Sequence, residues 1–163
     1  MIKADSLPQD ALLGRYADRP ECYTDCFSTV VDHRVLLEGF VTAFYTARLF
    51  RSERFVLAHT VRRPSTDAEA SEFAAGQRDK FAAWDMEART DDQPLACDLS
   101  QATRSWFKVE PQTTGTKLYF GSAVTPKQGG ELGIAMKLAT PLHRVYSRLL
   151  LAGARNRLSQ DQY

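Results

Sequence analysis

A chain of 163 residues, 44% apolar and 25% charged, has the size and composition of one globular domain around a single core. Its 21 Lys and Arg offset 20 Asp and Glu, so there is no whole-chain field of the kind that draws nucleic acid or a membrane surface. The opening MIKADSLPQD has no apolar signal-type stretch and no apolar run reaches spanning length, so the expectation is a cytoplasmic protein.

Ser6, Leu7, Pro8 and Gln9 have the form of a capping box, with Pro8 in the first turn. This predicts a short helix over 11–17, stopped before Pro20, and makes 1–20 a helical extension of a single domain spanning 1–163. Residues 22–31 are rich in Thr, Val and aromatics and read as a strand. Tyr23, Asp25, Phe27 and Thr29 share one side of it, and Cys22, Thr24, Cys26 and Ser28 the other. Asp32 is the expected cap of a long helix whose Leu36, Leu37, Phe40, Val41, Phe44, Tyr45 and Leu49 form one apolar stripe. The stretch 55–61 is apolar and reads equally as helix or strand, ended by Pro64. Thr66 to Glu69 is a second capping box, opening a helix towards Gly76.

The second half reads as four consecutive antiparallel strands over 80–89, 93–99, 104–110 and 116–124, joined by short turns. Trp84, Met86 and Ala88 alternate with Asp85, Glu87 and Arg89, and the charged parity is most simply the wet face of a sheet covered on one side. After a loop at Pro126, Gly129 and Gly130 comes a terminal helix, kinked or restarted at Pro141. Leu142, Val145, Tyr146, Leu149 and Gly153 form its apolar side, and Arg144, Arg148 and Arg155 lie nearly opposite. Helices on one side of a curved antiparallel sheet make an α+β sandwich with room for a cavity under the long last helix.

That element order resembles the helix-grip fold of the START-like (SRPBCC) superfamily. The segments 81–89, 93–99, 103–111, 118–124 and 143–155, about half the chain, resemble a bacterial family near that superfamily that has no established activity. The resemblance implies a sheet–helix cavity holding a lipid, polyketide, aromatic or other small apolar molecule; some superfamily members are cyclases or hydrolases. Five strands and a long first helix depart from its pattern, which keeps a cone-shaped, nuclear-transport-factor-like (NTF2-like) α+β fold as the alternative.

Within that frame the candidate ligand-binding residues are Trp84, Trp106, Arg104, Tyr119, Tyr146, Glu87 and His143. The two indoles suit an apolar wall with a polar N–H. Arg104 shares parity with Trp106. If Trp106 faces the cavity, Arg104 does too and needs an anionic partner. If Ser105, Phe107 and Val109 face in instead, Arg104 is surface and Trp106 exposed, which avoids burying a charge and is the simpler reading. Glu87, Arg104, His143 and Tyr146 are the groups an enzyme on this scaffold would use. Ser122 in FGSAV lacks the second glycine of a nucleophile elbow, and Gly121 reads as a bend in a curved sheet. Cys22, Cys26 and Cys97 are an odd number of thiols without ligand spacing, and no His/Cys cluster is present, so neither a disulfide framework nor a metal or other cofactor is expected. The expected partner is a small apolar ligand, not nucleic acid or membrane. A homodimer, formed through a sheet edge or the Arg-rich helix face, is the further alternative.

Overall fold

Alternation of side chains in the strands builds a sheet with two different faces, and both are covered. The computed structural model describes residues 1–51, 65–126 and 134–160, with side chains described outside 134–140. The strands are β1 (Lys3–Ala4), β2 (Tyr23–Val31), β3 (Lys80–Phe81), β4 (Trp84–Arg89), β5 (Pro94–Asp98), β6 (Thr103–Pro111) and β7 (Thr116–Val124). They form one open antiparallel sheet in the order β1-β2-β7-β6-β5-β4-β3. The architecture is α+β. The expected 55–61 element, Pro64 and the Gly129–Gly130 loop lie outside the described residues.

The helical face is built on Phe27, Phe107, Leu118 and Phe120, each buried and matched across the strands: Phe27 lies opposite Phe120, and Phe120 opposite Phe107. Among the described residues it is covered by α2 (Leu37–Thr46), α3 (Asp67–Ala74) and α4 (Ile134–Gln160). In α2 the stripe Phe40, Val41, Phe44 and Tyr45 is buried as its spacing requires, while Leu36 is left exposed. The helix starts later than an Asp32 cap predicts, because the backbone at 33–35 is tied to β7. Thr116 Oγ1 accepts from the Val35 N–H at 2.9 Å and donates to the His33 carbonyl at 2.9 Å. The α3 capping box forms as expected: Glu69 N–H donates to Thr66 Oγ1 at 3.2 Å, and Thr66 N–H to Glu69 Oε2 at 2.8 Å.

The terminal helix runs continuously through Pro141, so no restart occurs there. Its packed face is the expected one only in part: Tyr146 packs on the core and Gly153 meets the end of α2 as predicted, but the three large aliphatics do not. Leu142, Val145 and Leu149 are 73%, 53% and 54% exposed, whereas Ser147, Leu150, Leu151 and Ala154 are buried. Size decides this face more than hydropathy. A Cβ on Gly153 would stand 3.2 Å from the Ala47 side chain at the end of α2, and only small residues allow helices that close.

The opposite face of the sheet carries a second layer, the N-terminal segment. The helix expected over 11–17 is reduced to one turn, α1 (Gly14–Ala17), and the Ser6 capping box does not form. The backbone is engaged elsewhere: Lys3 and Ala4 pair with β2, Asp5 N–H donates to the Cys26 carbonyl at 3.0 Å, and Leu12 N–H donates to Gln93 Oε1 at 2.9 Å. Leu13 and Tyr16 then bury Trp106, Leu95, Tyr119 and Ala123. Gly121 serves this layer and is not merely a bend. A Cβ there would fall 2.7 Å from Leu13 Cδ2 and 3.0 Å from Trp106 Cε3.

The predicted strand over 80–89 is broken twice. Ala82, with φ of 51°, separates β3 from β4. A bulge between Met86 and Ala88 then shifts the register against β5, which places Ala88 opposite Leu95 on the N-terminal layer's face. Arg89 is thereby returned to the helical face, where it donates to the carbonyls of Phe73 and Ala74. Asp85, Glu87 and Arg89 therefore do not share a face. Among the described residues no helix is long and apolar enough to cross a membrane.

Candidate functional site

Two adjacent rows of side chains cross the centre of the helical face. One is wholly aromatic, Phe27, Phe120 and Phe107. The next, two residues along each strand, is polar: Asp25 lies opposite Ser122, and Ser122 opposite Ser105. The helices pack on the first row and stand off the second, leaving a cavity of about 280 Å³ under α4. Phe44, Phe50, Trp84, Phe120, Tyr146 and Leu150 supply apolar wall; Thr103, Ser105, Ser122, His143, Ser147 and Asp98 supply polar groups.

The polar end is tightly organised. Ser122 Oγ lies 2.6 Å from Asp25 Oδ1 and 2.7 Å from His143 Nε2, and the Ser122 N–H donates to the same Asp25 oxygen at 3.1 Å. Asp25 Oδ2 accepts from the Tyr23 hydroxyl at 3.3 Å, and the Tyr23 ring meets His143 edge-on at 6.0 Å. The Asp25 side chain is 5% exposed and that of His143 20%. Burial, then the charge and hydrogen bond of Asp25, push the Tyr23 phenol well up, so Tyr23 remains a neutral donor. Trp84 Nε1 is buried and has no hydrogen-bond partner among the described residues. Such a group costs about 1–3 kcal/mol until an acceptor reaches it.

Of the seven residues predicted from the sequence, Trp84, Tyr146 and His143 line this cavity. The other four lie across the sheet. Trp106 is fully buried beneath Leu13 and Tyr16, its Nε1–H donating to Gln93 Oε1 at 2.7 Å. Tyr119 is also in this layer, its hydroxyl donating to Glu110 at 3.0 Å and Lys117 standing 4.4 Å over its ring. Glu87 accepts from the Tyr16 hydroxyl at 2.7 Å and from Arg104 Nε at 3.2 Å, and the Arg104 guanidinium also lies 4.8 Å over the Tyr16 ring. Neither arrangement weighed for Arg104 holds. Ser105 and Phe107 do face the helices, yet Trp106 is not exposed and Arg104 is paired, because the N-terminal segment makes a second buried face. Glu87 joins this network and is still exposed, as the wet-face reading of its parity expects.

Asp25 and Ser122 are the residues that sequence reasoning missed as site members. The signal was the parity of β2: Tyr23, Phe27 and Thr29 share a side with Asp25, and a carboxylate on an otherwise apolar parity needs a built partner. The thiols take no part in the cavity. Burial, then the Asp5 and Asp25 charges, push the Cys26 thiol up to about 12, which leaves it protonated and inert. Among the described residues no group of three His, Cys, Asp or Glu is placed to hold a metal ion. No family model, curated protein or solved structure matches this chain.

Proposed function

We propose that this protein binds a small, mostly apolar molecule in the cavity between its sheet and its terminal helix. The observation that carries this reading is the cavity itself: about 280 Å³, aromatic on most sides, with an ordered polar cluster at one end. Small-molecule sites have this form, apolar walls with a few placed polar groups, and this volume lies just below their usual range of about 300–1,000 Å³. A ligand of one or two rings fits that size. The order of strand, helices, antiparallel run and long last helix supports a START-like build, with the N-terminal layer as this chain's own addition. The three thiols, all free, support a cytoplasmic setting.

Toluene and indole are suitable probes, followed by ligand-observed NMR and by the fluorescence of Trp84. The wild-type protein is expected to bind at least one of them. Ser147→Leu or Ser105→Val, each placing an apolar side chain in the cavity, should weaken binding at least about tenfold, the effect of about 1.4 kcal/mol. Binding that survives both variants unchanged, or no binding of either probe by the wild type, refutes the proposal.

A further inference from the structure

Ser122 has one hydroxyl proton and two strong neighbours, Asp25 Oδ1 at 2.6 Å and His143 Nε2 at 2.7 Å. A carboxylate can only accept, and Asp25 already gathers the Ser122 N–H and the Tyr23 hydroxyl. The Ser122 proton therefore goes to Asp25, and His143 must donate its Nε2 proton to Ser122 Oγ. Neutral His143 is thereby held as the Nε2–H tautomer. Its Nδ1 is left as a lone pair with no hydrogen-bond partner among the described residues. This is not the geometry of a nucleophilic serine. There the imidazole accepts from the serine and the carboxylate holds the other ring nitrogen; here Asp25 Oδ2 lies 4.0 Å from the same Nε2.

We propose that His143 Nδ1 is a proton acceptor for a small aromatic hydroxy compound bound in the cavity, with Ser122 and Asp25 as the residues that position it. The inference rests on the cavity-binding reading above. The step is a simple transfer: the ligand O–H bond breaks, an Nδ1–H bond forms, and the electron pair stays on the ligand oxygen. The products are a phenolate and an imidazolium, and the imidazolium charge is balanced through Ser122 by Asp25. Among the described residues, the charged and titratable groups around His143 are Tyr23 and Asp25 of β2, Tyr146 and Arg144 of its own helix, and Asp98 of β5 further along the cavity. Two carboxylates disfavour a ligand that enters as an anion. A neutral hydroxyl enters freely and acquires charge only beside the imidazolium, and the aromatic walls suit the ring that carries it.

Two measurements on the 163-residue chain test this. Long-range nitrogen–proton NMR of His143 is expected to show Nε2–H with a bare Nδ1, and Ser122→Ala should relax that preference. A predominant Nδ1–H tautomer in the wild type overturns the proposal. The second uses 4-nitrophenol at a pH where it is mostly neutral in free solution, with toluene as the apolar control. The bound phenolate fraction, read from its visible absorption, should exceed the free value at least about tenfold, one pKa unit. It should fall back in His143→Gln, while toluene binding by that variant shows that fold and cavity persist. If 4-nitrophenol binds but stays neutral, fails to bind while toluene binds, or remains a phenolate in His143→Gln, the proton-acceptor role is lost and the cavity reading stands. If neither 4-nitrophenol nor toluene binds, the proton-acceptor role is lost, and the cavity reading is lost with it when indole also fails to bind.

Discussion

Gly121 shows how one residue can serve two faces of a sheet. It sits between Phe120, a wall of the cavity, and Ser122, the centre of the polar cluster, while its own missing side chain leaves space for Leu13 and Trp106 behind. In Gly121→Ala the new methyl would meet the Asp25 carbonyl at 3.0 Å as well as Leu13 at 2.7 Å, and the backbone cannot swing aside as a leucine tip can. The expected loss is about 1–3 kcal/mol, the usual range for overpacking, measured by urea unfolding. Combined with Leu13→Ala, the two losses should sum to less than their separate values, since that change removes the nearest contact. An alanine variant as stable as the wild type would show that the N-terminal layer packs more loosely than described. Asp25 teaches a related lesson about legibility. Its parity on β2 was readable, but its partner Ser122 lies far along the sequence, and only the β2–β7 register joins them.

Among the elements, those governed by local chemistry were legible and those governed by long-range packing were not. The α3 start was written in Thr66 and Glu69, and both hydrogen bonds of the box are present. Thr66→Ala should therefore lower stability by about 0.5–2 kcal/mol, read from the thermal midpoint, and Thr66→Ser should restore most of it. By contrast, Ser6 and Gln9 spell the same motif, and the helix that follows is cut to the single turn of α1 because β1 pairs with β2 and draws that backbone away. The four later strands were legible from alternation, although nothing local announced the bulge at Glu87 that redirects Arg89. The α4 face was misread because hydropathy ranks Leu142, Val145 and Leu149 above Ser147 and Ala154, whereas close packing on α2 favours small residues. The candidate site divided the same way. Of the sheet residues at the cavity Trp84 was found and Asp25 and Ser122 were not, while Trp106, Arg104 and Tyr119 were assigned to the cavity because the second buried face was not foreseen.

At the scale of the whole molecule, the N-terminal layer is fastened to the sheet by ion pairs as well as by Leu13 and Tyr16. Lys108, with 7% of its side chain exposed, joins Asp10 at 2.7 Å and also Asp92; Lys117 joins Asp5 at 3.0 Å. Burial alone would raise the Asp92 carboxyl, but hydrogen bonds from Lys108 and Thr90 outweigh it and hold Asp92 below its ordinary range. Asp5 is lowered in the same way by Ser28 and Lys117 against its burial. A carboxyl whose folded value is depressed adds stability that is present above its unfolded value, about 4, and is lost as pH falls through the folded one. Urea stability should therefore decline below about pH 4, and Asp92→Asn should flatten that slope; an unchanged slope would remove Asp92 from the account. The β2–β7 pairing has a further consequence, for synthesis. Strand β2 leaves the ribosome early, but its partner, with Val124 opposite Tyr23, follows only after the meander β3 to β7 is made. At about 5–20 residues per second, β2 waits several seconds, an unpaired apolar edge for a chaperone to shield. Asp25 waits with it, so the cluster can close only once Ser122 and His143 have been made as well, and a ligand that needs all three finds no seat on a shorter nascent chain.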